Sequence, residues 1–335
     1  MSKVFGEVVG VAFLVTLVLV PVLVRFAIGR NLLDVPNARS SHEVPTPRLG
    51  GLAVIGGAWA ASPITNGELY ILLPATIVGF VGALDDLVDL RAWVKFAGQA
   101  AAVLILLFLL PPPILEAAGS LWPAALLFGV FWILSVVNAY NFMDGIDGIA
   151  GGTAILNALF LMALLGTLDG PGGVGLPAMV AAVAGFLVWN ISPARIFLGD
   201  SGSYFVGFYL GATALYTKPV VGSPYLAFVV AAAVFTPFLF DTGYTLARRA
   251  WTGKNVFAAH REHIYQRITP DPAKHRQVSI VYYAFATLSG LAALFVSDGT
   301  SYDMLVRLLA GGGLIVGCCL MVSLLPRIAR EQNYR

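Results

Sequence analysis

Three short stretches place carboxylates where apolar runs end: Gly82-Ala-Leu-Asp85-Asp86-Leu-Val-Asp89, Asn138-Ala-Tyr-Asn141-Phe-Met-Asp144-Gly-Ile-Asp147-Gly148 and Phe197-Leu-Gly-Asp200-Ser-Gly-Ser203. A carboxylate at a bilayer edge is costly unless it is paired, hydrated or metal-bound, so it suggests function by default. Asp85, Asp86 and Asp89 repel one another unless a cation is present, and Asp85 and Asp89 are i,i+4 neighbours on a helix. Taken alone they read equally well as a solvated helix end compensated by Arg91 and Lys95. In the second stretch two amides and two carboxylates recur every third residue, with Gly145 and Gly148 interleaved. The glycines suggest that a helix ends there and lets a ligand approach. Amides and carboxylates together suit a ribose, a base edge or hydrated Mg2+, and packing explains them poorly. This is the most specific signal in the chain. Gly-Asp-Ser-Gly-Ser reads as a helix opening whose N-terminus favours phosphate; the bland alternative is an N-cap by Asp200 or Ser201.

Two basic segments accompany the acids. Residues 31–49 hold Arg39, His42 and Arg48 in a stretch too rich in proline for a regular element. These side chains suit anionic ligands, or merely fix topology. Residues 248–278 carry Arg248-Arg249 and then His260-Arg261-Glu262-His263-Ile-Tyr-Gln-Arg267. His260 and His263 at i,i+3 can share a helix face and, with arginine, suit a diphosphate. No cysteine or third ligand completes a zinc site, and an interfacial helix on anionic lipid is the sober alternative. Asp241 reads as a structural partner of Arg248 or Arg249.

The elements that must hold these groups cross a membrane. Of 335 residues 58% are hydrophobic and 11% charged, with a mean hydropathy of +0.83; soluble domains carry about 25% charge. A net charge of +2 leaves no nucleic-acid footprint. Cys318 and Cys319 are sequence neighbours that point apart on a helix, hence packing residues rather than a redox pair. Apolar runs fall near 4–28, 50–66, 69–84, 94–110, 121–139, 150–168, 175–191, 204–217, 225–247, 279–297 and 304–325. They predict an all-α polytopic bundle of about eleven transmembrane helices, residues 1–335 forming a single domain. The first run is long for a signal-peptide core and reads as a retained span. With the N-terminus outside, only Lys3, Lys218 and Arg307 of the 20 Lys and Arg lie on the outer side. The positive-inside rule then gives N-out and C-in. The polar segments 31–49, 85–93, 138–149, 192–203 and 248–278 all face the cytoplasm in that orientation, unlike those of an outward-facing receptor.

Together these stretches resemble the polyprenyl-phosphate N-acetylhexosamine-1-phosphate transferases, with the motifs in family order from Asp34 to Arg267. The resemblance implies a Mg2+-dependent enzyme, with Mn2+ as a substitute ion, in a helical bundle with a cytoplasmic cleft. It would transfer an N-acetylated, or deoxy-amino, hexose-1-phosphate from a UDP-sugar to undecaprenyl phosphate, releasing UMP and initiating a cell-surface glycan at the bacterial inner membrane. Residue by residue, it implies Asp200 as the magnesium ligand and Asp85 and Asp86 as the pair for catalysis or for engaging the lipid phosphate. Asn141, Asp144 and Asp147, beside Asn138, match the nucleotide-side cluster. Phe197 matches the aromatic that stacks on uracil, and Asn190 a base-side polar residue. His260, Arg261 and His263, with Arg267 beyond, match a loop that contacts diphosphate or sugar. A homodimer is an assembly the family uses. The loop His260-Arg-Glu-His263 replaces a run of three histidines and, with an inside C-terminus, resembles the O-antigen and common-antigen initiating branch. Phospho-N-acetylmuramoyl-pentapeptide transferase is the alternative within the family. Outside it stand an ion-coupled secondary transporter, whose acids belong at mid-bilayer between repeats, and a non-catalytic scaffold, which needs no such convergence.

Overall fold

The structure, a computed structural model, describes residues 2–36, 43–65, 69–165, 175–218, 220–256, 258, 260–269, 271–300 and 302–332. Along the chain run α1 (Ser2–Gly29), β1 (Leu33–Asp34), β2 (Thr46–Pro47), α2 (Gly50–Ala61), α3 (Leu69–Val88), α4 (Ala92–Leu109) and α5 (Pro113–Glu116). There follow α6 (Trp122–Met143), α7 (Ile149–Leu165), α8 (Gly175–Asn190), α9 (Gly199–Ala214), α10 (Pro224–Ala233) and α11 (Thr236–Trp251). The last three are α12 (Ile264–Ile268), α13 (His275–Ser297) and α14 (Met304–Gln332).

A helix that is apolar on every side must be enclosed by protein or lipid. Protein encloses α9, where every residue from Ser201 to Ala214 is buried. Around it pack α3, α6 and α2; α1 lies against α2 and α8, α7 against α8 and α13, and α14 against α13. Missing side chains bring these backbones together. A Cβ added at Gly82 of α3 would stand 2.3 Å from the Asp200 carbonyl oxygen, and one at Gly51 of α2 2.1 Å from Gly202 N.

Each apolar run coincides with a helix, or, for 225–247, with α10 and α11, which meet at 79°. Among the described residues six helices are long and apolar enough to cross a membrane, seven if that bent pair is one span. Eleven were expected. The shortfall is one of length: α2, α7, α8 and α9 have 12, 17, 16 and 16 residues. They rise only about 18–26 Å against a hydrocarbon core of about 30 Å.

Residues 31–49, expected to be irregular, contain the antiparallel pair β1–β2, with Leu33 opposite Pro47 and Asp34 opposite Thr46. The Pro47 carbonyl accepts the Phe197 N–H at 2.8 Å, and the N–H groups of Gly50 and Gly51 donate to the Phe197 and Leu198 carbonyls at 3.0 and 2.8 Å. That stitching fixes the segment that leads into α9.

Candidate active site

The acids converge on the first turn of α9. Asp86, near the end of α3, accepts the backbone N–H groups of Asp200 and Ser201, each at 3.1 Å. Asp144, just past α6, accepts that of Gly199. Gly199 has φ +73°, and a Cβ there would meet the Arg48 carbonyl oxygen at 2.3 Å and Asp86 Oδ2 at 2.8 Å. Only glycine suits both the left-handed conformation and the space. The sequence assigned this helix N-terminus to phosphate, or to capping by Asp200 or Ser201. Instead, carboxylates from two other segments occupy its amides, where the helix dipole favours negative charge.

Asp200 is left with its side chain facing the other acids. Its Oδ1 accepts Asn141 Nδ2 at 2.8 Å, and Asn141 also reaches Ser203 Oγ at 3.3 Å. Asp85 lies within hydrogen-bonding reach of Asp200 and is anchored from behind, by Leu90 N–H at 2.8 Å and Lys95 Nζ at 2.7 Å. Lys95, read from sequence as mere compensation, is therefore part of the cluster. Asp89 is not. It falls just beyond the end of α3, exposed and at φ +51°; its N–H still donates to the Asp85 carbonyl at 3.0 Å, but its side chain lies outside the patch.

Four carboxylates thus share one patch with little positive charge nearby. Arg48 pairs with Asp34, and its charge reaches Asp86 and Asp200. Burial, and then the charge of Asp86, push the Asp144 carboxyl up to about 7, against the pull of the Gly199 amide. An oxygen-only, electronegative patch fits a hard divalent cation. Mg2+ takes one or two carboxylates and leaves its other positions to water and substrate phosphates. No cluster of three or more His, Cys, Asp or Glu in ligating arrangement occurs among the described residues.

Other expected site residues carry bonds that hold the fold around the patch. Asp147 accepts Ala194 N–H on Oδ2 at 3.1 Å, while its Oδ1 lies 3.3 Å from His275 Nδ1. Burial raises this carboxyl, but His275, the Ala194 amide and Ser192 together hold it below the ordinary range. No motif surrounds His275, and nothing in the sequence ties it to a residue more than a hundred positions away; sequence reasoning missed it. Asn190 links Gly148 N–H (3.0 Å) to the Ile196 carbonyl (2.8 Å). Asn138 donates to Gln99 Oε1 at 3.0 Å and to the Leu134 carbonyl at 2.8 Å. Phe197 is partly exposed two residues before α9. Arg39 and His42 lie outside the described residues.

The histidine loop reaches the patch from α11 and α12. His260 and His263 meet by stacking, ring centroids 5.0 Å apart, in the loop ahead of α12 and not on a helix face. His263 is buried, 5.8 Å from the Phe142 ring, with Nδ1 3.2 Å from Asp241 Oδ1. Burial, and then the neighbouring His263 and Arg249, push His260 down to about 4. In these surroundings its ring is neutral at neutral pH. Arg261 and Arg267 are partly exposed on either side. Asp241 pairs with neither Arg248 nor Arg249, which bind Glu262 at 2.8 and 2.5 Å.

A profile described as Glycosyl transferase family 4 matches residues 69–218, the stretch that holds all four clustered acids. The chain is 30% identical to a Bacillus subtilis protein described as a probable undecaprenyl-phosphate N-acetylglucosaminyl 1-phosphate transferase, across 87% of this chain and 84% of that one. It is 31% identical to the decaprenyl-phosphate N-acetylglucosaminephosphotransferase of Mycobacterium leprae, across 89% and 84%. With the phospho-N-acetylmuramoyl-pentapeptide-transferase of Staphylococcus carnosus it shares 27% identity, across 85% and 97%.

Proposed function

The chain belongs to glycosyl transferase family 4, among the polyprenyl-phosphate N-acetylhexosamine-1-phosphate transferases, and on that premise we propose that it moves N-acetylhexosamine 1-phosphate from a UDP-sugar onto undecaprenyl phosphate. One observation carries the reading: Asp85, Asp86, Asp144 and Asp200 gather with Asn141 and Lys95 at the start of α9. A scaffold has no use for such a concentration of like charge.

In the reaction an oxygen of the lipid phosphate attacks the β-phosphorus of the UDP-sugar. The bond to the bridging oxygen breaks, and UMP leaves with its electron pair. Such transfers rest on positioning and charge neutralisation. Asp200 would hold Mg2+, or Mn2+ in its place, and the ion would supply charge neutralisation at the diphosphate and the departing UMP. Asp86 positions Asp200 by holding the amides at the start of α9. Lys95 and Arg48 bring the remaining positive charge to the patch.

The lipid phosphate, with a second pKa near 6 as for phosphate monoesters, is already mostly dianionic at neutral pH, so a base helps without being essential. Asp85 and Asp86 each have both oxygens engaged by donors. Asp144, at about 7, is matched to that role. The same engagement argues against a covalent aspartyl-phosphate, so transfer is direct. Asn141 and Phe197 serve the uridine side, with Asp147 and Asn190 holding the backbone around it, and Arg261, Arg267 and His260, backed by His263, the diphosphate or sugar.

N-acetylglucosamine is the sugar in the names of two relatives, and the His260-Arg-Glu-His263 loop disfavours a muramoyl-pentapeptide donor. The product begins a cell-surface glycan such as an O-antigen, made at the cytoplasmic face of the plasma membrane. Purified protein incubated with UDP-N-acetylglucosamine, undecaprenyl phosphate and Mg2+ should release UMP, and chelation should stop it. UDP-sugar without lipid phosphate should release none. A transporter, or any protein releasing no UMP from a panel of UDP-N-acetylhexosamines, would refute the proposal.

A further inference from the structure

One buried carboxylate has no part in the steps above. Asp241 in α11 is fully buried, which is tolerated only where donors surround the charge. It accepts Ile264 N–H at 2.8 Å, Tyr265 N–H at 3.0 Å, Thr245 Oγ1 at 3.2 Å and the Tyr282 hydroxyl, and its Oδ1 lies 3.2 Å from His263 Nδ1. Three of these partners are His263, Ile264 and Tyr265, the start of α12. A helix of five residues has no independent stability. Its place, and that of the loop ahead of it, is set by what its first turn is tied to.

The side chain of Tyr265 reaches the segment that carries Asp144. The Tyr265 hydroxyl donates to the Phe142 carbonyl at 3.0 Å, and a Cβ added at Gly145 would stand 2.0 Å from that hydroxyl. Phe142 also faces the His263 ring. Phe142 and Gly145 flank Asp144. Contacts therefore run without a gap from Asp241 through His263 to the segment of Asp144, and from His263 through the stacked ring of His260 to a partly exposed surface.

We propose that Asp241 is a positioning residue for the transfer, acting through His263: by holding this imidazole and the first amides of α12, it sets the His260–His263 pair against the Asp144 segment. The inference rests on the transferase reading. Steady-state kinetics on Asp241→Asn, His263→Asn and the double variant test it. Asparagine is a good N-cap, so His263→Asn keeps the start of α12. Each single variant should lower kcat about tenfold with KM for the UDP-sugar within about twofold. Because groups that act as a unit are not additive, the double variant should be within about twofold of the slower single. Losses that multiply, a parental kcat in Asp241→Asn, or a raised KM at unchanged kcat would each overturn the proposal. If Asp241→Asn does not fold, Tyr282→Phe removes one donor from the carboxylate and is combined with His263→Asn in the same way. A loss that disappears in the His263→Asn background supports the proposal; an equal loss in both backgrounds, or none in either, overturns it. A parent that releases no UMP sinks the transferase reading and this inference with it. An active parent whose losses multiply sinks this inference alone.

Discussion

Asp86 and Asp200 look alike in sequence, yet their surroundings give them different work. Asp86 has both oxygens on amides, whereas Asp200 meets a side-chain amide and another acid. Asp200→Asn should therefore cost about 100-fold or more in kcat, and a Mg2+ titration should show half-activation moved to higher concentration. If that variant matches the parent at every Mg2+ concentration, the metal assignment is wrong. Asp86→Asn keeps one acceptor of two and should lose about 1–2 kcal/mol of stability, read as a lower thermal midpoint, along with turnover. UDP-sugar binding, followed by titration calorimetry, should persist. For His260 the sign is set by its lowered pKa: the ring charges only below about 4. His260→Gln should thus leave the shape of the kcat/KM profile unchanged from about pH 5.5 to 8, and the loss of an acidic limb would mean the charged ring is the working form. The carrying acids were legible because charge is conspicuous where apolar runs stop. Their partners were not. Asp86 and the amides it holds are more than a hundred residues apart, and spacing along a chain says nothing about contacts between helices.

At the level of helices, the site is assembled by close approach of α3 to α9. Gly82→Ala would drive a methyl into the Asp200 carbonyl at 2.3 Å, costing about 1–3 kcal/mol and displacing Asp86 from the amides. Activity in that variant should fall further than thermal stability alone explains. Gly312→Ala, where nothing lies within 4 Å, should behave as the parent in both measurements. The positions of the helices were readable from hydropathy, since every apolar run became helical. Their lengths, and the sharp turn between α10 and α11, were not. Hydropathy records what a helix is made of, and the same composition serves a segment facing lipid and one, such as α9, facing only protein. The β1–β2 pair was missed for a related reason: two-residue strands are shorter than any period that can be read.

Across the whole molecule, the distribution of Lys and Arg predicts which face looks inward, and that orientation is open to direct measurement. With Cys318 and Cys319 replaced by alanine, single cysteines at the exposed positions Lys218 and Lys254 report on the two sides. A membrane-impermeant maleimide should label position 218 in intact cells and position 254 only after permeabilisation. The reverse pattern would turn the acid patch to the outside and remove its access to cytosolic nucleotide. The expected bundle class was legible from composition alone. The gathering of distant acids into one place was an assumption in the sequence and became visible only with the packing.

Enclosure of α9 on all sides has a consequence for how freely this protein can change. Every position on that rod is answerable to several neighbours at once, whereas α14, with 11% of its span buried, answers mainly to oil. A catalogue of tolerated single substitutions should therefore dip to its floor over 199–214 and rise over the last helix, a gradient running outward from the acids like growth rings from heartwood.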